Sequence, residues 1–265
     1  MRLTATRVSV TSTSAAVAGI DSDALAYITA VESADGESLE AGVRTAINAF
    51  VVGCKEDSIW DAIKSSCILA GARTLNGALV PLVGTAPTNF NFVSGDYDRK
   101  TGLVGDGSTK YLDSNRNSNA DPQNSYSFGV WVHTAGTPSG STQLYLGGVS
   151  TNGGTSIGMA NSQLFSRNRN TAFFLYGNST TTGFLGTSRN ESASCITRDS
   201  GANTTRAQSS QAPANATTHI FGESQGASFR ANARLAFYFI GESLDLALLD
   251  ARVTDLINAL GAAIP

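Results

Sequence analysis

Hydrophobic and polar positions recur along this chain with two different periods, and the change of period divides it. From residue 21 to 72 the period is helical. Ser22 is placed to cap a first helix carrying Leu25, Ile28 and Val31, which stops at Asp35-Gly36. Ser38 is placed to cap a second, with Leu39, Val43, Ala46, Ile47, Phe50, Val51 and Cys54 on one stripe. Asp57 or Ser58 opens a third holding Ile59, Trp60, Ile63, Cys67 and Ile68, and Gly71 sits where a C-terminal glycine belongs. Residues 73–100 are irregular, punctuated by Asn76-Gly77, Pro81, Gly84 and Pro87. From Gly102 onward the period is two. Tyr126–His133 is the clearest strand, with Tyr126, Phe128, Val130 and Val132 on one face and Trp131 on the other. Further strands are expected at 142–148, 156–160, 163–168, 171–176, 182–187, 193–198, 204–209, 218–222 and 233–240. Turn signals such as Asn152-Gly-Gly154, Tyr176-Gly-Asn178 and Asp199-Ser-Gly201 separate them. A helix capped by Ser243 closes the chain, with Leu246, Leu249, Val253, Leu256 and Leu260 on one face and Gly261 at its end.

So many short strands at this spacing predict a mainly β protein, a sandwich rather than a parallel α/β sheet. The organisation expected is an extended N-terminal arm (1–20), a small helical subdomain (21–72) and a β-sandwich with its closing helix (73–265). The closing helix is expected to pack near the N-terminal helices. In the arm, Thr4, Thr6, Val8 and Val10 alternate on one side. Two readings stay open for it: a first strand or frayed terminus, or a docking arm in which Leu3, Val8 and Val10 add a strand to a neighbouring subunit.

Composition narrows the function. Apolar residues make up 41% of the chain, enough for a substantial core, while charged residues reach only 15%, against about 25% in an average domain. Surface polarity therefore comes from Ser, Thr, Asn and Gly. The net charge is −3 and no Lys/Arg cluster occurs, so nucleic acid is not an expected partner. Membrane insertion is not expected, because no apolar run approaches a membrane span. The first residues lack the apolar core of a secretory signal, and the three cysteines, Cys54, Cys67 and Cys195, form no disulfide framework. Buried thiols and synthesis in a cytoplasm are expected.

Catalytic signals are weak. His133 and His219 are the only histidines, so a Ser-His-Asp triad has to use one of them, and each reads better as structural. Glycanase chemistry needs two carboxylates across a cleft. Glu32, Asp35, Glu37 and Glu40 cluster instead on helices and a turn, where a solvated face explains them. Asp96, Asp98, Asp106 and Asp113 could supply oxygen ligands to calcium, but Asp96-Tyr-Asp98 and Gly105-Asp-Gly107 are also ordinary turn spellings. No enzyme, cofactor or metal is expected. A glycan site pairs exposed aromatic rings with loop Asn or Asp; Tyr145, Tyr176 and Asn178 are the candidates, with Phe165 and Phe184 nearby in sequence.

Several segments together resemble tailed-bacteriophage and prophage virion proteins that carry a concanavalin A-like (laminin-G-like) jelly-roll domain. They are Asp23–Glu32, Leu39–Val52, Ile59–Ile63, Gly71–Pro81, Asn89–Val93, Gly102–Gly107, Lys110–Asp113 and Phe239–Leu244, in that order. The resemblance spans roughly 21–265 and implies a jelly roll, a place in the virion, contact with capsid or tail subunits, homo-oligomers (a trimer by analogy) and a possible glycan ligand. It implies no catalytic residues. The function expected from it is a capsid decoration or cement subunit. The alternative is a short tail fibre or receptor-binding protein recognising host glycans.

Overall fold

The computed structural model describes residues 19–137, 142–149, 152–226 and 228–265. The N-terminal arm, with Leu3, Val8 and Val10, lies outside them. The helices are α1 (Ser22–Asp35), α2 (Ala41–Glu56), the short α3 (Leu75–Ala78) and α4 (Leu246–Ala263). The strands are β1 (Ile63–Ile68), β2 (Thr88–Phe90), β3 (Tyr97–Asp98), β4 (Gly102–Val104), β5 (Tyr111–Asn117), β6 (Tyr126–Thr134), β7 (Thr142–Gly147) and β8 (Thr155–Ala160). They continue with β9 (Gln163–Asn168), β10 (Phe174–Tyr176), β11 (Gly183–Arg189), β12 (Ser194–Asp199), β13 (Ala202–Ala207), β14 (Thr217–Ile220) and β15 (Arg234–Gly241).

Two antiparallel sheets face each other. The first runs β13-β12-β11-β6-β15-β4-β3, with β1 also paired to β15; the second runs β10-β9-β8-β7-β14-β5-β2. Helices α1, α2 and α4 cover the outer side of the first sheet, so its central strands are buried on both faces. β15 explains why its sequence is an apolar run and not an alternation. Phe237 and Phe239 point to the helices, against Ile28, Phe50, Leu249 and Val253, while Tyr238 and Ile240 point between the sheets, towards Leu112, Tyr145 and Ile220. The last residue of the strand is Gly241, where a Cβ would stand 1.9 Å from Ala62 O.

The expected strands and the closing helix are present. α4 packs on α2, as expected, and Arg252 there holds Asp57 through Nε (2.7 Å) and Nη2 (3.0 Å). Its cap is Asp245, whose carboxylate accepts the Ala247 N–H at 2.8 Å, rather than Ser243. Ser243 instead receives no capping role; its N–H donates to Ser125 Oγ. α1 is likewise capped by Asp21 rather than Ser22, and α2 begins after Glu40 rather than Ser38. Gly261 does not end α4, which runs on to Ala263.

The third helix expected over 59–68 is a correction. After one 3-10 turn at Trp60–Ala62 the chain becomes β1, antiparallel to β15 with Cys67 opposite Tyr238. The helical part therefore stops short of residue 63, and the rest of the expected subdomain belongs to the first sheet. Gly71 keeps a left-handed φ of 90° but follows a strand, its N–H bonded to Arg99 O.

All three thiols are buried, as expected. Burial pushes the Cys54 and Cys67 thiols up to about 12, and Cys195 is raised by the same cause. Native protein at pH 8 is expected to resist iodoacetamide at all three positions and to react fully in denaturant. Mass spectrometry before and after unfolding checks this, and rapid native labelling of Cys67 would contradict it.

Candidate functional site

The first sheet is covered on its outer side by helices; among the described residues no helix lies on the second sheet, whose outer side carries the exposed rings of Phe90, Phe173 and Phe229. Along β5 and β14, Leu112 and Ile220 enter the core, which turns Tyr111, Asp113 and His219 outward. Phe90, opposite Tyr111 on β2, stacks on it at 4.3 Å with ring planes 4° apart. The Arg230 guanidinium lies 3.8 Å over the same ring, and His219 stacks at 4.8 Å. Burial holds His219 below the usual imidazole range, Asp113 opposing and Arg230 adding to the shift. Its Nε2 stands 3.5 Å from Asp113 Oδ2.

A cavity of about 140 Å³ opens at the other end of this face, lined by Thr142, Leu144, Ala160, Phe165, Arg167, Phe173 and Phe229. Phe165 is its buried floor, and Phe173 meets that ring edge-on at 5.5 Å while remaining 52% exposed. Phe229 is 43% exposed and adopts a φ of 72°, an outlier for a bulky residue. Its carbonyl accepts the Leu144 N–H at 2.9 Å, which pins the backbone and stands the ring outward. Arg167 donates from Nε to Ser156 Oγ (2.8 Å) and from Nη1 to Thr171 O (3.4 Å). Burial lowers its pKa, and the negative charge of Glu223 opposes that shift. A second, polar cavity of about 220 Å³ shares Ala160 and adds Asn161, Ser162, Ser179 and Thr180.

Of the glycan candidates, Tyr145 and Tyr176 are corrections. Tyr145 is fully buried between the sheets with its hydroxyl donating to Ala135 O at 3.1 Å, and Tyr176 is buried in the same core. Neither ring can meet a ligand. Asn178 is exposed beside the polar cavity, where its side chain accepts the Thr180 N–H at 3.0 Å. Phe165 is in the apolar cavity, whereas Phe184 packs under the helices. Phe173 and Phe229 were not singled out by sequence. Phe173-Phe174 is a doublet of which only one member can face outward, and Phe229 lies in a loop without period.

The scattered carboxylates hold turns together. Asp98 accepts from the N–H groups of Lys100 and Thr101, and Asp106 from those of Ser108, Thr109 and Lys110. Asp96 pairs with Lys110, and Asp113 takes the Asn115 N–H. Glu32, Asp35 and Glu40 clamp the helical layer, bonding Arg44, the Arg73 N–H and Arg99 respectively. The stretch Gly222-Glu-Ser-Gln-Gly226 has the spelling of a serine nucleophile elbow, which the sequence reading passed over. It forms a tight turn closed by a Glu223–Gly226 bridge, with no helix after it, and Ser224 Oγ has no hydrogen-bond partner. His133 is exposed, one residue before the end of β6.

No family model matches the sequence, and no curated protein does. Solved structures do match by shape. The binding domain of botulinum neurotoxin serotype D is 11% identical with a TM-score of 0.50, over 74% of this chain and 51% of that one. A Trypanosoma rangeli sialidase mutant displaying trans-sialidase activity is 12% identical with a TM-score of 0.50, over 80% of this chain and 39% of that one. This chain thus spans about half of the toxin domain and less than half of the sialidase. Domain 4 of AbnA, a GH43 extracellular arabinanase from Geobacillus stearothermophilus in complex with arabinotriose, is 16% identical with a TM-score of 0.40, over 66% and 82%. At these identities the likeness is one of fold: the chain is a mainly β sandwich of two antiparallel sheets with helices towards its two ends.

Proposed function

We propose that the chain is a structural subunit of a tailed-bacteriophage virion, a decoration or cement protein that docks on neighbouring subunits and acts without catalysis. The observation that carries this reading is where the phage-like segments fall in the fold. Asp23–Glu32 and Leu39–Val52 lie in α1 and α2, Ile59–Ile63 leads into β1, and Phe239–Leu244 is the end of β15. Gly102–Gly107 and Lys110–Asp113 enter β4 and β5. The resemblance therefore runs through the helical layer and the first sheet, reaches the β2–β5 edge of the second sheet at Asn89–Val93 and Lys110–Asp113, and includes the α3 connection at Gly71–Pro81. A rigid sandwich of this kind stabilises a particle through buried area and avidity, as a symmetric oligomer, with a trimer the natural form on a three-fold position.

The test is the composition of purified particles from the phage or lysogen that encodes the chain. Many copies per particle, labelled on the head by antibody, support decoration; absence from particles overturns the virion reading. Deleting residues 1–18, with Leu3, Val8 and Val10, is expected to abolish incorporation while leaving the thermal midpoint of the rest unchanged. Normal incorporation of the truncated chain would contradict the docking arm.

One observation favours a second reading, adsorption to host glycans as a short tail fibre or receptor-binding protein. It is the aromatic cavity of Phe165, Phe173 and Phe229 on the second sheet. A few copies at the tail tip would support that reading over decoration.

A further inference from the structure

We infer that the outer face of the second sheet holds a binding site for a neutral pyranose, seated between Phe173 and Phe229 over Phe165. The inference deepens the glycan reading but does not depend on where in a particle the chain sits, because a decoration subunit can carry the same site.

Size comes first. The cavity of about 140 Å³ is well below the roughly 300–1,000 Å³ of sites that enclose a drug-sized ligand, so it admits one ring and not an extended apolar chain. Shape comes next. Phe173 and Phe229 are exposed while Phe165 is buried, so two rings form open walls over an apolar floor. A pyranose offers matching surfaces: C–H groups on its faces for the aromatic walls, and hydroxyls around its edge. Two polar residues, Thr142 and the buried Arg167, also line the apolar cavity. Beyond Ala160, the polar cavity with Asn161, Ser162, Ser179 and Thr180 is placed to receive a second sugar unit.

Charge selects the class. Among the described residues Arg167 is the one cation on the cavity wall, and the negative charge of Glu223 favours its charged form. An acidic sugar would bring its carboxylate into the negative field of Glu223, whereas a neutral sugar meets no such repulsion. The walls are also held in advance. The Phe229 carbonyl is fixed by the Leu144 N–H and Phe173 rests edge-on against Phe165, so little ordering remains to be done on binding.

The experiment is titration of the full chain with neutral hexose disaccharides of glucose, galactose and mannose, and with sialyllactose, followed by ligand-observed NMR and calorimetry. Binding of at least one neutral disaccharide is expected. Phe173→Ala and Phe229→Gly are each expected to weaken it at least tenfold, with thermal midpoints near the parent's; glycine at 229 also suits the positive φ. Failure of every neutral sugar overturns the site, as does a preference for sialyllactose or binding that survives both variants. So does a dimer that Phe173→Ala returns to monomer, since the face would then be a contact between copies. None of these failures touches the virion reading, which particle composition decides.

Discussion

A chain ended after Ser243 does not fold: expressed without residues 244–265, it is expected in the insoluble fraction, without a cooperative melt. The removed segment, α4 and the residue after it, contributes Leu246, Leu249, Val253, Leu256, Ile257, Leu260 and Ile264, all at most 7% exposed. Each side chain of that kind is worth about 1.5–3 kcal/mol on burial. Their sum rivals or exceeds the roughly 5–15 kcal/mol that separates a typical folded domain from its unfolded chain. The loss also strips one side of β15 and β11, where Phe237, Phe239 and Phe184 would face water. A graded version keeps the test quantitative. Leu256→Ala is expected to lower stability by about 2–5 kcal/mol, read from urea midpoints at constant slope. Leu248, 39% exposed on the opposite face, should tolerate alanine within about 0.5 kcal/mol. A truncated chain that stays monomeric with native near-ultraviolet dichroism would refute the three-layer account.

That helix was legible in the sequence because its stripe is long enough to separate a period of 3.6 from one of two. β1 was not. Ile63 and Cys67 lie four apart, which suits a helix, and are also both even-numbered steps along a strand. Six residues cannot arbitrate. What decides is β15, whose Tyr238 meets Cys67 from 171 positions away, and no local pattern carries that contact.

The site was partly legible, for a related reason. Polar loops and outward aromatics led to Asn178, beside the polar cavity, and to the neighbourhood of Phe165 in the apolar one. Tyr145 failed because β7 is bulged between Leu144 and Leu146. The extra residue lets Tyr145 and Leu146 both enter the core while Leu144 faces out, breaking the strict alternation from which an outward Tyr145 would follow. Tyr176 and Phe173 lie on opposite faces of the same edge segment, so naming the aromatic run did not say which ring is free.

Arg189→Met is expected to cost about 4 kcal/mol, close to the largest effect of any single change in this fold. Arg189 closes β11 with 0% exposure and has no carboxylate bonded to it. Its donors go to backbone carbonyls instead. Nε and Nη2 reach Asn168 O at 3.1 and 2.8 Å, and Nη2 also reaches Gln208 O at 2.8 Å. Nη1 meets Ser194 O at 2.8 Å and Glu191 O at 3.0 Å. One guanidinium thus joins the end of β9, the start of β12 and the segment after β13. Burial lowers its pKa, yet an arginine remains charged at any working pH. A buried ion pair can sometimes be exchanged for apolar residues at little cost, because both partners are replaced together. That route is closed here, since the acceptors are main-chain carbonyls that no substitution removes. Methionine fills the volume and leaves them without donors. Arg189→Lys restores the charge but not the planar fork, so it should recover only part of the loss, about half. Urea unfolding of the three proteins decides the matter. If methionine and lysine both stay within about 0.5 kcal/mol of the parent, the carbonyl clamp contributes nothing and the junction of these strands must rest on packing alone.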